Sequence, residues 1–372
     1  MTPASFLLID DSTHNQDMYY ATRFLASDRF LYLKSQNKEI ILISQMELGR
    51  ARIESEISDI RTTTDYDIIG KLKRYGRDAA YNLVVSELLH DEGVTRVSVP
   101  HNFPVSIADA LRSHGVEVIP VPSPIAKLRS VKSSGEIEQI KKAQACCENA
   151  MQTAIDAIRR AKVIDGVLFD SNSNSNSDQP LTSERVRAAI EHTLIDCGCE
   201  SESTIVAGGM DASNPHNVGT GVLRVDESIV IDIFPRLSQE RYYADMTRTV
   251  ARGSPSQELI EMYDAVLDAQ SVGLRTVRAG VSGGDVHDAV CDCFREYGYL
   301  DMFTHSTGHG VGLNVHEDPS IGTGGEVLEA GNVITIEPGL YGKIGGIRLE
   351  DLVVVTKTGC INLTTITKRF LV

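Results

Sequence analysis

The last third of the chain carries four carboxylates and one imidazole, each inside a short run with its own local character. Asp232 lies in IVIDIF (229–234), Asp245 in YYADMTRTV (242–250) and His309 in HSTGHGVGLNVHEDP (305–319). Glu337 follows in NVITIEPGLY (332–341) and Glu350 in GGIRLEDLVVV (345–355). Four carboxylate charges balance two divalent cations, and carboxylates bridge such ions at about 3.5–4 Å, the spacing of two-metal hydrolases. An oxygen-rich set with one imidazole suits Mn²⁺ or Co²⁺ and also accepts Zn²⁺ or Fe²⁺. Any fold of this chain has to bring these five side chains together.

The local runs say how. IVIDIF and the stretch around Asp245 read as two strands joined by the polar segment PRLSQER (235–241), a hairpin-like pair. Side chains alternate faces along a strand, so paired strands hold two aspartates on one face. NVITIE and IRLEDLVVV are β-branched strand runs as well. Gly308, Gly310 and Gly312 flank His309, which reads as removal of side-chain bulk where the backbone approaches a ligand.

These motifs resemble the M24 pita-bread metallopeptidases, the family that includes methionine aminopeptidase, aminopeptidase P, prolidase and creatinase. The resemblance runs over nearly the whole chain and is strongest from about Thr204 to Val355. It implies an α/β creatinase-type N-terminal domain followed by an α+β pita-bread catalytic domain with a pseudo-twofold repeat. It also implies that Asp232, Asp245, His309, Glu337 and Glu350 bind two divalent ions, with Asp245 and Glu350 bridging. Mn²⁺ is the first expectation for the metal, with Co²⁺ or Zn²⁺ as alternatives. In the family the two aspartates usually lie eleven residues apart, with a glycine two after the first. Here they lie thirteen apart, and Phe234 stands at the glycine position. An even insertion preserves the face that each side chain uses.

Further residues resemble the family's substrate groups. His216 in NPHN (214–217) and His316 in LNVHED (313–318) match its pocket histidines. His305 matches a third histidine of the proline-cleaving branch, and Arg348 is placed to anchor a substrate or order the bridging glutamate. The combination implies an Xaa-Pro aminopeptidase or Xaa-Pro dipeptidase acting on proline-containing di- or oligopeptides. In that reading His316 stabilises the oxyanion, and Glu337 carries a proton from water to the leaving nitrogen. A site shaped for the φ-locked proline ring rejects ordinary peptide bonds on shape.

Composition narrows the class. A length of 372 residues accommodates two domains with sizeable cores. A net charge of −15 argues against nucleic acid or an anionic membrane as partner. The opening MTPASFLLIDD lacks a basic n-region, and no run reaches the roughly 18 apolar residues of a membrane span. An odd count of seven cysteines then points to free thiols in a reducing cytoplasm. The C-x-C pairs Cys197/Cys199 and Cys291/Cys293 read as packing residues in helix-like stretches.

Residues 1–125 alternate strand-like and helix-like runs, an α/β pattern. Asp17 and Tyr20 there resemble the D-x-x-Y opening of creatinase-type domains. Three prolines in PVPSP (120–124) mark a break, and residues 126–372 form the expected catalytic domain. Ser133-x-x-Glu136 is a capping box that opens a long amphipathic helix. Helices near 134–160 and 182–196, then 255–279 and 284–297, each pair precede strands that carry two acidic residues, as if one plan ran twice. SNSNSNSD (171–178) reads as a polar surface loop. The resemblance further implies a homodimer through the N-terminal domain. Two rival readings are a creatinase-like hydrolase of a non-peptide C–N bond and a non-catalytic pita-bread interaction protein. The first goes with an incomplete ligand set, the second with lost ligands and basic extensions, and this chain has neither.

Overall fold

The computed structural model describes residues 5–35, 38–170, 179–201 and 203–372, so the SNSNSNSD stretch lies outside the described residues. The chain divides into two compact units, Met1–Arg129 and Ser130–Val372.

The first unit is built on β1 (Ser5–Asp10), β2 (Phe30–Ser35), β3 (Lys38–Ile43), β4 (Asp59–Thr62), β5 (Arg96–Pro100) and β6 (Glu117–Val121). They form one mixed sheet in the order β4-β3-β2-β1-β5-β6. Its helices are α1 (Gln16–Thr22), α2 (Leu48–Glu54), α3 (Ile68–Tyr75), α4 (Arg77–Asp91), α5 (Val105–Ser113) and α6 (Pro124–Ser130), and the boundary with the second unit falls inside α6. The apolar run at the start of the chain follows from burial of both faces. Leu7 and Ile9 enter one core with Val84, Leu88 and Ile107, while Phe6 and Leu8 enter another with Met18, Phe24 and Ala51. Asp17 is tied to Arg129 at 2.7 Å.

The second unit starts with α7 (Ser134–Arg160), β7 (Lys162–Ile164), β8 (Val167–Phe169), α8 (Ser183–Asp196), β9 (Cys199–Glu200), β10 (Ile205–Gly208), β11 (Ile229–Ile233), β12 (Arg236–Leu237) and β13 (Met246–Val250). Ser133 and Glu136 form the capping box at the start of α7. The apolar stripe of α7, from Ile140 through Ala143, Cys147, Met151 and Ala154 to Ile158, is fully buried. Strand β11 explains the acidic face. Ile229, Ile231 and Ile233 pack into the core with α7 and α8, so Val230 and Asp232 point the other way.

The plan then recurs with α9 (Gln257–Thr276) and α10 (Gly283–Tyr297). Their strands are β14 (Gly308–Gly310), β15 (Glu317–Ile321), β16 (Val333–Ile336), β17 (Gly339–Gly342), β18 (Gly345–Arg348), β19 (Asp351–Val355) and β20 (Cys360–Asn362). Five of them form the sheet β15-β14-β16-β19-β20, and β17 and β18 make a separate hairpin. Ile334, Ile336, Val353 and Val355 share a core with Val277 and Val286, which leaves Thr335, Glu337, Leu352 and Glu350 for the opposite face. Helix α9 begins at Gln257 with Ser256 as its cap, two residues later than the Ser254-Pro255 signal suggests. The cap needs a side-chain oxygen that accepts from the third helical N–H, and Ser256 accepts from Leu259.

The two halves meet through backbone and threonine hydrogen bonds. Glu350 N–H donates to the Thr247 carbonyl at 3.1 Å, and Arg348 N–H donates to Thr249 Oγ1 at 2.9 Å. Both acidic faces therefore open onto the same seam.

Candidate metal centre

The seam gathers all nine side chains singled out by sequence around one cavity of about 560 Å³. Asp232 sits opposite Thr247 in the β11–β13 ladder, and Asp245, two residues before Thr247, falls on the same face. The connection between the aspartates is the expected hairpin: Arg236 bridges Tyr243, and Leu237 N–H donates to the Tyr242 carbonyl at 3.0 Å across a turn at 238–240. Its first arm, β12, also pairs on its other side with β9. On the other half, Ile336 pairs with Asp351, so Glu337 and Glu350 leave the end of that ladder at neighbouring positions.

Distances show how tightly the groups converge. His309 Nε2 lies 3.2 Å from Glu337 Oε1 and 3.7 Å from Asp245 Oδ2. One donor atom from each of Asp245, His309 and Glu350 falls within 4.8 Å of the other two. Thr247 Oγ1 donates to Glu350 Oε2 at 2.9 Å, and Arg348 Nη2 donates to Asp232 Oδ2 at 2.7 Å. Asp232 Oδ1 and Glu350 Oε1 are buried with no hydrogen-bond partner among the described residues. A buried carboxylate oxygen left without a donor is costly, and a cation satisfies it directly. Four carboxylates, one imidazole and two orphaned oxygens fit divalent cations with an oxygen preference.

The charges report the same strain. Burial, with the neighbouring Asp232 charge adding to it, pushes Asp245 well above the usual carboxylate range. Burial and the charge of Asp245 do the same to Glu350. Burial works against the charged form of His309, but the hydrogen bond and charge of Glu337, with Asp245, outweigh it and raise the imidazole to about 9. Glu337 is correspondingly held at about 2, its burial outweighed by His309.

The histidines and arginine occupy distinct places. His316 stands edge-on to His309, with ring centroids 4.2 Å apart. His216 is exposed at the rim of the cavity. His305 Nδ1 donates to the Ser306 carbonyl at 2.7 Å, which leaves Nε2 to accept from Tyr341 Oη at 2.9 Å. Burial lowers the pKa of both His305 and His316. Arg348 is engaged by four protein groups: Asp232, Tyr341 Oη at 2.9 Å, the Pro215 carbonyl at 3.2 Å and Thr247 Oγ1 at 3.1 Å. Of the two roles suggested by sequence, that geometry fits ordering of the acidic groups better than anchoring of a substrate. Thr247 passes this order on, because it accepts from Arg348 and donates to Glu350.

Two expectations need correction. Gly308 and Gly310 make room for protein backbone, and Gly312 for the Glu317 side chain, not for a ligand. A Cβ on Gly308 would lie 2.1 Å from the Thr335 carbonyl, and one on Gly310 would lie 2.3 Å from that of Asp318. Strand β14 is simply squeezed between β15 and β16. Among the cysteines, all seven are free, but Cys197 caps the end of α8 and Cys199 belongs to β9, so that pair is not helical.

Three residues escaped the sequence reading. Tyr341 was legible in principle, since Gly339 pairs with Arg348 and strand alternation puts Tyr341 on the same face. Thr247 needed only the register opposite Asp232. Gln270 is fully buried on α9 and donates to the carbonyls of Ile336 and Leu349, both at 3.0 Å, the residues just before the two glutamates. Its signal was a glutamine on an otherwise apolar helix face.

Two measurements follow from this geometry. Replacing Gln270 with Leu strands two buried carbonyls and should cost about 2–4 kcal/mol in chemical denaturation of the metal-free protein; a cost under about 0.5 kcal/mol would mean that the carbonyls find other donors. The second concerns pH. Asp245, Glu350 and His309 have folded pKa values raised above their unfolded ones, so their contribution is present at low pH and is lost as pH rises through the folded values. Glu337, held low, works the other way only below about 4.5. The gain in Tm on adding Mn²⁺ to metal-free protein should therefore be larger at pH 8 than at pH 5. Equal gains at both would contradict the site.

Residues 138–357 match the metallopeptidase family M24, and residues 5–131 match the creatinase/prolidase N-terminal domain. An Xaa-Pro dipeptidase of Pyrococcus furiosus is 31% identical over 329 residues, covering 87% of this chain and 84% of that protein. Among solved structures, an X-Pro aminopeptidase from Thermotoga maritima superposes with a TM-score of 0.79 at 28% identity, over 99% of this chain and 97% of that one. An Xaa-Pro dipeptidase from Bacillus anthracis superposes with a TM-score of 0.83 at 26% identity, over 99% and 94%. The chain therefore belongs to metallopeptidase family M24, with a creatinase/prolidase N-terminal domain ahead of its catalytic region.

Proposed function

We propose that the chain is a dinuclear metallopeptidase that hydrolyses the bond between an N-terminal residue and proline. The observation that supports this most is the convergence of Asp232, Asp245, His309, Glu337 and Glu350 on one cavity, with two buried carboxylate oxygens lacking donors. These five residues would hold the metals, Mn²⁺ first. Bound there, two cations would supply Lewis acidity and a water acidified toward neutral pH.

The chain's own residues do the rest. Glu337, ionised at neutral pH, accepts a proton and hands it to the leaving nitrogen. An Xaa-Pro bond is a tertiary amide, so its nitrogen leaves as an amine only after gaining that proton. His316, beside His309, donates to the oxyanion that forms at the scissile carbonyl. His216 and His305 bind the substrate from the rim and from the Tyr341 side. Arg348 keeps Asp232 in place. The creatinase-like and non-catalytic readings have no comparable support, since all five ligand side chains are present.

The test is kcat/KM on Ala-Pro, Ala-Pro-Ala and Ala-Ala-Ala with Mn²⁺ or Co²⁺ present. The proline peptides should exceed the alanine peptide by at least about tenfold, or about 1.4 kcal/mol. Glu350→Gln should lose most activity and at least one metal by elemental analysis, and His316→Ala should lower kcat far more than it raises KM. Equal rates on all three peptides would make the enzyme a general aminopeptidase; no turnover of any would defeat the proposal.

The same reading places the protein in the cytoplasm as a homodimer formed through the N-terminal unit. No helix among the described residues is long and apolar enough to cross a membrane. Light scattering on the purified protein should give close to twice 40.6 kDa, and a fully active monomer at micromolar concentration would exclude the dimer.

A further inference from the structure

Phe234 stands two residues after Asp232, just beyond the end of β11. Strand alternation turns its side chain away from the Ile231 and Ile233 core and onto the acidic face. Its backbone is fixed from both sides. Cys147 Sγ donates to the Ile233 carbonyl at 3.1 Å, and Ala244 N–H donates to the Pro235 carbonyl at 2.9 Å. Pro235 further restricts Phe234 to extended backbone. The ring is half-buried and lines the cavity. Because Ala244 faces Pro235 and Met246 faces Ile233, Asp245 leaves its strand directly across from Phe234. Ile205, opposite Asp232 in β10, shares the face, and Val218 lines the cavity beside them. The result is an apolar stretch of the cavity wall on strands that also carry two aspartates.

We propose that Phe234 is a specificity-determining residue, and that its ring closes this side of the cavity and limits the size of the substrate's N-terminal side chain. The inference rests on the Xaa-Pro reading above. The apolar side chain of a bound peptide gains by burial against the ring. The N-terminal residue carries the substrate's amine, a hydrogen-bond donor, and the carboxylate oxygens of Asp232 and Asp245 beside Phe234 are acceptors for it. That places the first residue of the peptide, and not its proline, against the ring.

The experiment compares kcat/KM for Ala-Pro, Leu-Pro and Phe-Pro in wild type, Phe234→Leu and Phe234→Gly, with metal content measured for each. Wild type should prefer Ala-Pro to Phe-Pro, and that ratio should fall by at least about tenfold in Phe234→Gly, with Phe234→Leu in between. If Phe234→Gly disturbs the aspartates and loses metal, the milder Phe234→Leu decides. An Ala-Pro to Phe-Pro ratio that stays within about twofold of wild type in both variants overturns the inference alone. A wild type that turns over no Xaa-Pro dipeptide overturns the reading beneath it as well.

Discussion

Three buried carboxylates and a partly buried fourth, all on one cavity, are the constraint on which the second unit depends. Ionised groups in a low-dielectric interior are unfavourable unless matched by opposite charge. The polypeptide supplies only part of that match. Arg348 neutralises Asp232, and protonated His309 neutralises Glu337. Asp245 has only a longer contact, 3.7 Å, to the same His309, and Glu350 makes no ion pair among the described residues, so burial raises the affinity of both for protons. A fold that concentrates negative charge in this way is incomplete as a purely protein object. The M24 family implies divalent metal ions, and such cations would complete it.

Holding such a cluster demands rigid support, and the support comes from simple rules applied twice. In each half, alternate strand residues bury an apolar row against two helices and turn a polar row toward the seam. Hydrogen bonds from Thr247 and Thr249 then lock one half to the other. Gln270 reaches from α9 to hold the backbone just ahead of both glutamates. A substitution that disturbs these supports acts on the site without touching a ligand, because the geometry of a metal cage tolerates little displacement.

Much of this was legible in the sequence. The five acidic and imidazole residues lie in runs whose period of two dictates which face they use, and an insertion of even length between Asp232 and Asp245 keeps that phase. Ser133 and Glu136 mark the start of α7 by local chemistry alone. Other features depend on partners distant in the chain. PRLSQER reads as a turn and forms one, but its arm β12 also finds β9 about forty residues earlier, and nothing local encodes that pairing. Gly308 and Gly310 beside His309 suggest ligand access, whereas their cause is the backbone of β15 and β16 on either side. Arg348 offers an exposed-looking charge in sequence, and only the folded seam reveals that Asp232, Thr247, Tyr341 and Pro215 already occupy it.

The most direct test of the account is anomalous X-ray diffraction from crystals of the full chain grown with saturating Mn²⁺. The account predicts two anomalous peaks in the seam cavity about 3.5–4 Å apart, with the carboxylates of Asp245 and Glu350 touching both. A cavity with no peak, or a single ion that leaves Asp232 and Glu350 unliganded, would contradict it.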